Sequence, residues 1–169
     1  MKLKTVTHSS YPRMGETQAQ RSLRRALHLY DRKKMNREAL ERVYEETIQS
    51  IVSEQMQNDM DEVTDGMVRW NDPISHLMRQ WDGVTIGGLL RFFDTNFYFR
   101  QPIIQGPLAR KMSPVVSEAV FLKKCAPDKV KAVLTGPYTL AKLSVIQTDR
   151  YRDTYDLASA MTPLLAEEI

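Results

Sequence analysis

The sequence predicts an α/β fold with a parallel sheet, and three observations carry that expectation. Short β-branched or apolar segments at Leu3–Thr7, Glu62–Gly66 and Val130–Leu134 alternate with helical stretches. Such alternation favours parallel strands joined by right-handed crossovers. The stretch Val130–Leu140 reads as a buried strand that stops at Thr135-Gly136-Pro137 and hands the chain to a helix. A loop of that kind lies at the carboxyl edge of a parallel sheet, where α/β proteins put their ligands.

Composition bounds the rest. With 169 residues, 42% of them hydrophobic and 27% charged, the chain is globular and long enough for a core. A net charge of +3, with basic and acidic residues alternating along helices, gives no argument for nucleic acid. No apolar run approaches the roughly 20 residues that span a bilayer. The start, Met1 to Val6, lacks the apolar stretch of a signal peptide. The single cysteine, Cys125, excludes an internal disulfide and points to the cytoplasm.

The elements follow in order. Leu3–Thr7 is a first strand, ending in the polar loop His8-Ser9-Ser10 before Pro12. A helix over roughly Thr17–Lys33 puts Leu23, Ala26, Leu27 and Tyr30 on one face. Asn36 is an N-cap. The helix behind it repeats Leu40, Val43, Thr47, Ile48, Ile51 and Met56 and ends near Met60. Glu62–Gly66 is a second strand closed by an Asp-Gly turn, and Trp70–His76 leads into a short helix. Gly83–Gly106 is a β excursion with a glycine turn at Gly87-Gly88. Ser113-Pro114 opens a helix that ends near Lys124. After the Val130 strand, Thr148-Asp149 caps a last helix with Tyr151, Tyr155, Ala158, Leu165 and Ile169 on one face and a kink at Pro163.

Three strands are few for a closed α/β domain, and the last helix lacks a stop signal at Glu167-Glu168-Ile169. The expected architecture is therefore the N-terminal half of a TIM (β/α)8 barrel with a β-hairpin excursion. Residues 1–169 would form its first three to four β/α units, with the second half absent.

Three segments, in order, resemble the catalytic barrel of the cobalamin-independent methionine synthase family. They are Thr5–Arg13, Val63–Pro73 and Lys131–Leu140; the stretch Phe93–Ile104 fits too, closest to the short single-barrel archaeal and bacterial members. The resemblance implies methyl transfer to homocysteine, forming methionine. It implies zinc in the complete barrel, on ligands in the second half. A zinc site is not expected from this chain alone, whose one cysteine and three histidines lack ligand spacing. It implies a methyl donor, either methyl-folate or a methyl-corrinoid, the latter on a corrinoid protein.

Residue by residue, the resemblance places substrate binding at His8, Ser9, Ser10, Asp65 and Asp72. Where the family has Ile-Gly-Ser, this chain has His8-Ser9-Ser10, so only Ser10 matches. Where the family has a Gly-Glu pair, this chain has Gly66-Met67, and Asp65 stands one step before. The methyl-donor pocket would take Tyr98, Arg100, Thr135, Gly136 and Pro137. Leu143 stands where folate-using members place a stacking Trp.

Other readings stay open. Asp65 and Asp72 either meet a substrate ammonium or build turns, since Asp-Gly and Asp-Pro both favour them. His8 either orients substrate or bonds to backbone. Cys125 reads as packing. The chain is either part of a methyltransferase completed by a C-terminal-half chain, or a non-catalytic half-barrel that binds a partner or itself.

Overall fold

The computed structural model describes residues 3–168. The elements run α1 (Gln18–Asp31), α2 (Arg37–Gln57), α3 (Ser75–Met78), β1 (Trp81–Arg91), β2 (Tyr98–Arg110), α4 (Pro114–Cys125), α5 (Pro137–Lys142), β3 (Val145–Ile146) and α6 (Thr154–Ala166). The chain divides into two compact units: Met1–Arg69 with Glu118–Ala132, and Trp70–Ser117 with Val133–Ile169.

The first unit carries the first two anticipated strand segments and the start of the third, as far as Ala132. Val6 bridges Glu62 and Val63 bridges Val130, both in the parallel sense. Order and direction match the alternation of strands and helices, but the ladders shrink to single bridges. Val6 is exposed and Val130 half-buried, so the expected buried strand is not found. Among the described residues the Val130 segment pairs along one side only. A parallel strand becomes buried when it is flanked by neighbours and covered on both faces.

Helices α1 and α2 cover this unit. Thr17 and Gln20 form a capping box at the start of α1. Asn36 caps α2 by accepting from the Ala39 N–H. Leu23 and Ala26 of α1 meet Leu40, Ile48, Ile51 and Val52 of α2 in a core that also holds Val63 and Leu122. The predicted stripe of α2 goes wrong at its end. Met56 is 41% exposed, and its neighbour Gln55 is 1% exposed instead. The Gln55 amide donates to Thr64 O at 2.8 Å and accepts from Thr64 N at 3.0 Å. Its oxygen also accepts from the Thr7 hydroxyl at 3.3 Å. One side chain therefore satisfies the backbone of one strand end and touches another.

The second unit is built on a hairpin. β1 and β2 pair antiparallel, closing at Arg91 and Tyr98. The expected turn at Gly87-Gly88 is not there; those glycines fall in a register shift between Ile86 and Leu89. Glycine inside a strand suits a bulge. The turn forms instead around Asp94 and Thr95, where the Thr95 hydroxyl donates to Phe92 O and Phe92 N donates to Phe97 O at 2.8 Å. A second register shift lies at Gly83, whose φ of +76° and 2.4 Å clearance to Pro107 O admit no side chain.

β3 adds to the far side of β2 in parallel, giving the order β1-β2-β3. α5 starts with Pro137 in its first turn, as the Thr-Gly-Pro stop implies. α6 starts later than expected. Asp153, not Thr148-Asp149, is its cap, accepting from Tyr155 N and Asp156 N at 2.8 and 2.9 Å. Its buried face is Leu157, Met161 and Leu165, while Tyr155 is 70% exposed. Ile169, grouped by spacing with Tyr155 and Leu165, lies outside the described residues. Pro163 sits within α6, which continues to Ala166. No helix among the described residues is long and apolar enough to cross a membrane.

Replacing Gln55 by Met keeps the volume and orphans two buried backbone groups at Thr64. At about 1–3 kcal/mol for each unsatisfied group, Gln55→Met should cost roughly 3 kcal/mol in urea denaturation. Met56→Gln on the exposed neighbour should cost under about 0.5 kcal/mol.

Candidate functional site

In the first unit the strands run in parallel, so their carboxyl ends share an edge. The loops His8–Ser10 and Asp65–Met67 leave from it. Thr64 ties them together. Its hydroxyl donates to Ser9 O at 3.2 Å and accepts from Gly66 N at 3.2 Å. Tyr11 N donates to Gly66 O at 3.0 Å, closing the two loops onto each other. Gly66 has φ +72°, and a Cβ there would come within 3.0 Å of Ile51 and Tyr11. Only glycine fits.

His8 and Ser10 are exposed; Ser9 is buried, at 1% exposure. Ser9 also holds φ 108°, outside the regions that a side chain tolerates well. Its hydroxyl has no hydrogen-bond partner among the described residues. Two costs therefore fall on one residue, a strained backbone and a buried, unsatisfied hydroxyl.

Asp65 accepts from Met67 N at 2.9 Å, an Asx turn that holds Met67 at φ 53°. Just beyond, Arg69 is pinned. Its Nε and Nη2 meet Glu41 at 2.7 and 2.5 Å, and its guanidinium lies 6.0 and 5.2 Å from the ring centroids of Tyr44 and Phe121. This Arg69 anchor was not anticipated: a lone arginine after a turn reads as solvated. From the third segment, Lys131 sends its ammonium to Thr7 O at 3.0 Å.

The second unit holds Asp72, Tyr98, Arg100, Thr135, Gly136 and Pro137. Asp72 is 4% exposed and organises its surroundings. Its Oδ1 accepts from Ile74 N and Ser75 N at 2.9 and 2.5 Å; its Oδ2 accepts from the Ser75 hydroxyl at 2.5 Å and from Arg100 N at 3.2 Å. The turn reading of Asp72 thus has three local donors behind it, and Arg100 N adds a fourth from the hairpin. The next residue takes the Thr-Gly-Pro loop: the Thr135 hydroxyl donates to Pro73 O at 2.7 Å. One turn therefore gathers the hairpin at Arg100 and the loop at Thr135. The Arg100 and Tyr98 side chains are exposed on β2. Tyr138, just after Pro137, is half exposed and lies 5.7 Å from the Tyr155 ring.

The zinc that the resemblance implies can be tested against the donors present. Among the described residues no three His, Cys, Asp or Glu side chains gather to hold a metal. His76 stacks on Trp70 at 4.5 Å, and Cys125 lies half-buried at the end of α4. These residues do not fit a zinc site.

This chain belongs to the cobalamin-independent synthase family, whose catalytic-domain pattern matches residues 3–167. It is 27% identical over 168 residues to the methionine synthase of Saccharolobus solfataricus, covering 99% of this chain and 48% of that protein. It is also 27% identical over 163 residues to the 5-methyltetrahydropteroyltriglutamate–homocysteine methyltransferase of Kali turgidum, covering 94% of this chain and 21% of that one. The chain spans about half the length of the curated archaeal methionine synthases it matches. Two solved structures share its α/β fold. One is a putative vitamin-B12-independent methionine synthase of Listeria monocytogenes, with TM-score 0.70 and 18% identity over 99% of this chain and 49% of that one. The other is a B12-independent methionine synthase of Shewanella sp. W3-18-1 in complex with selenomethionine, with TM-score 0.68 and 24% identity over 80% of this chain and 39% of that one.

Two outcomes follow from the site. Ser9→Gly removes the strain and the orphan hydroxyl together, so it should stabilise the chain by about 2 kcal/mol in urea denaturation. Burial, and after it the charge of Glu45, push the Cys125 thiol above its ordinary range. The thiolate is the reactive form and its share at pH 8 falls as the pKa rises. Iodoacetamide should therefore label native Cys125 more slowly than the urea-unfolded chain at that pH.

Proposed function

We propose that this chain is the N-terminal half of a methionine-synthase-type (β/α)8 barrel, supplying part of the homocysteine pocket and part of the methyl-donor pocket. The observation behind this reading is the match of the family's catalytic domain to residues 3–167, with the three strand segments in parallel order. In this reading His8, Ser9 and Ser10 hold the amino-acid end of homocysteine, with Asp65 beside them. Asp72 acts as a positioning residue through its bonds to Arg100 N and the start of α3. Tyr98, Arg100 and Thr135-Gly136-Pro137 face the methyl donor, a methyl-folate or a methyl-corrinoid.

The reaction moves a methyl group from the donor to the homocysteine sulfur. Orientation of both partners is what this half would contribute. No step is assigned to a metal held by this chain; zinc belongs to the second half of the barrel. Leu143 leaves the donor subsite without the stacking Trp of folate-using members, which favours a corrinoid donor.

A second reading has its own support. The hairpin tip exposes Leu89, Leu90, Phe93 and Tyr98, a cluster of apolar side chains in solvent. A non-catalytic half-barrel that pairs with itself would cover them.

Metal analysis and a homocysteine methylation assay separate the two readings. The isolated chain should carry no stoichiometric zinc and show no turnover. Mixing it with a family C-terminal half loaded with zinc should restore methionine formation. Zinc-dependent turnover by the chain alone overturns the half-barrel role. A stable homodimer that ignores the C-terminal half favours the second reading.

A further inference from the structure

Strand β1 is the open edge of its sheet. The order β1-β2-β3 gives it one neighbour, so its outer side meets no strand among the described residues. It runs 11 residues, Trp81–Arg91, and holds no proline and no lysine. Native edges are blunted by such residues or by bulges, because an open edge templates another strand. The bulges of β1 lie at Gly83 and at Gly87-Gly88. The chain itself accounts for two of these glycines. A Cβ at Gly83 would run into Pro107 O, and one at Gly87 would lie 3.0 Å from Ile103 and 3.1 Å from Gln101 O. Gly88 is different. It has no positive φ, and a Cβ there would meet nothing within 4 Å. A glycine inside a strand weakens it, and one use that offsets the cost is the close approach of another backbone.

The two ends of β1 carry opposite charges, Asp82 and Arg91, with no charged residue between them. The Asp82 side chain is 54% exposed, and Arg91 is exposed. Lys111 holds Asp82 through Oδ1 at 2.5 Å. Arg91 sends Nε to Thr95 O at 2.6 Å and Nη2 to Asp94 O at 3.2 Å, which leaves Nη1 without an acceptor among the described residues. Two copies of β1 laid antiparallel set Asp82 of each opposite Arg91 of the other when a twofold axis passes between Ile86 and Gly87. Parallel copies in register set like charges together. The antiparallel register also puts Leu89, exposed in the single chain, opposite Val84 of the second copy, and brings Gly88 beside its Thr85 close to the axis.

We infer that the outer edge of β1 is an interaction surface for a second copy of this chain, which pairs its own β1 antiparallel across a twofold axis. The two sheets then join into one through their β1 edges, and the open backbone groups of each edge bond the other. The charges single out this occupant. A strand of another chain matches Asp82 and Arg91 only if it carries the opposite charges at the same separation, whereas a reversed copy of β1 carries them by construction. The inference gives a place to the self-pairing of the second reading above and rests on that reading's choice of partner; it rests on no catalytic role.

The test is the mass of the full chain in solution, measured by sedimentation over a range of concentrations. The variants are Asp82→Lys, Arg91→Glu and the two combined, each checked for folding by circular dichroism and melting. The parent should reach twice the chain mass. Asp82→Lys sets cations against cations across the axis, and Arg91→Glu sets acids against acids, so each alone should weaken self-association by roughly tenfold or more. An equimolar mixture of the two single variants should pair as tightly as the parent, and so should the combined variant, because both restore opposite charges in that register. Recovery in the mixture also shows that neither single variant failed by misfolding. A parent that stays monomeric at every concentration overturns the edge pairing and the self-pairing reading together. A dimer that ignores both charge reversals overturns this edge and leaves self-pairing standing. Weakened single variants that neither mixing nor combination rescues overturn the antiparallel register.

Discussion

The first unit depends on a single amide. Gln55 projects from α2 and satisfies both backbone groups of Thr64. With its backbone held, Thr64 has its hydroxyl left for the loops, donating to Ser9 O and accepting from Gly66 N. The same amide oxygen receives the Thr7 hydroxyl. The conformation of two loops on two strand ends is thus transmitted from one helix. Short parallel bridges supply few ladder bonds, so a buried side-chain amide does here what a longer ladder does elsewhere. Arg69 completes the arrangement from the other side, tying the chain after Gly66 to Glu41 on the same helix.

How much of this was legible in the sequence differs from element to element, for physical reasons. Helices α1 and α2 were legible because their apolar spacing and their caps agree: Thr17 and Asn36 both accept the bonds that their residue types favour. The parallel order of the three segments followed from strand–helix alternation. Gly87-Gly88 misled because glycine serves turns and bulges alike, and only the partner strand decides between them. The start of α6 misled because Asp149 and Asp153 are equally good caps locally. The choice falls to Asp153, which leaves Tyr151 outside the helix, where its hydroxyl accepts from Leu108 N. β3 is two residues long and carries no periodicity to read.

The candidate site was legible in a different way. The resemblance located the loops, because short motifs in order mark positions. It did not give conformations. Ser9 was expected to bind substrate as a loop residue; that it is buried at positive φ is a property of the folded chain. Gln55 was invisible for a simpler reason. A glutamine on a helix face reads as solvent-exposed, and its burial is sustained by a backbone nine residues away that local patterning does not reveal.

Acids at the ends of strands are ambiguous signals, and each unit shows why. Asp65 accepts from a backbone N–H two residues on, and Asp72 accepts from backbone groups two and three residues on. These are the bonds that make aspartate a turn residue, and a loop that must leave a strand edge sharply needs them. At Asp72, where both oxygens face donors, the carboxylate attracts a ligand's positive charge less. A serine hydroxyl makes such turn bonds more weakly. When the Ser9 hydroxyl is buried without a partner among the described residues, the local fold supplies no counterweight. At the edge of the first unit, Ser9, the residue that local structure explains least, is therefore a stronger guide to chemistry than the turn-forming acids.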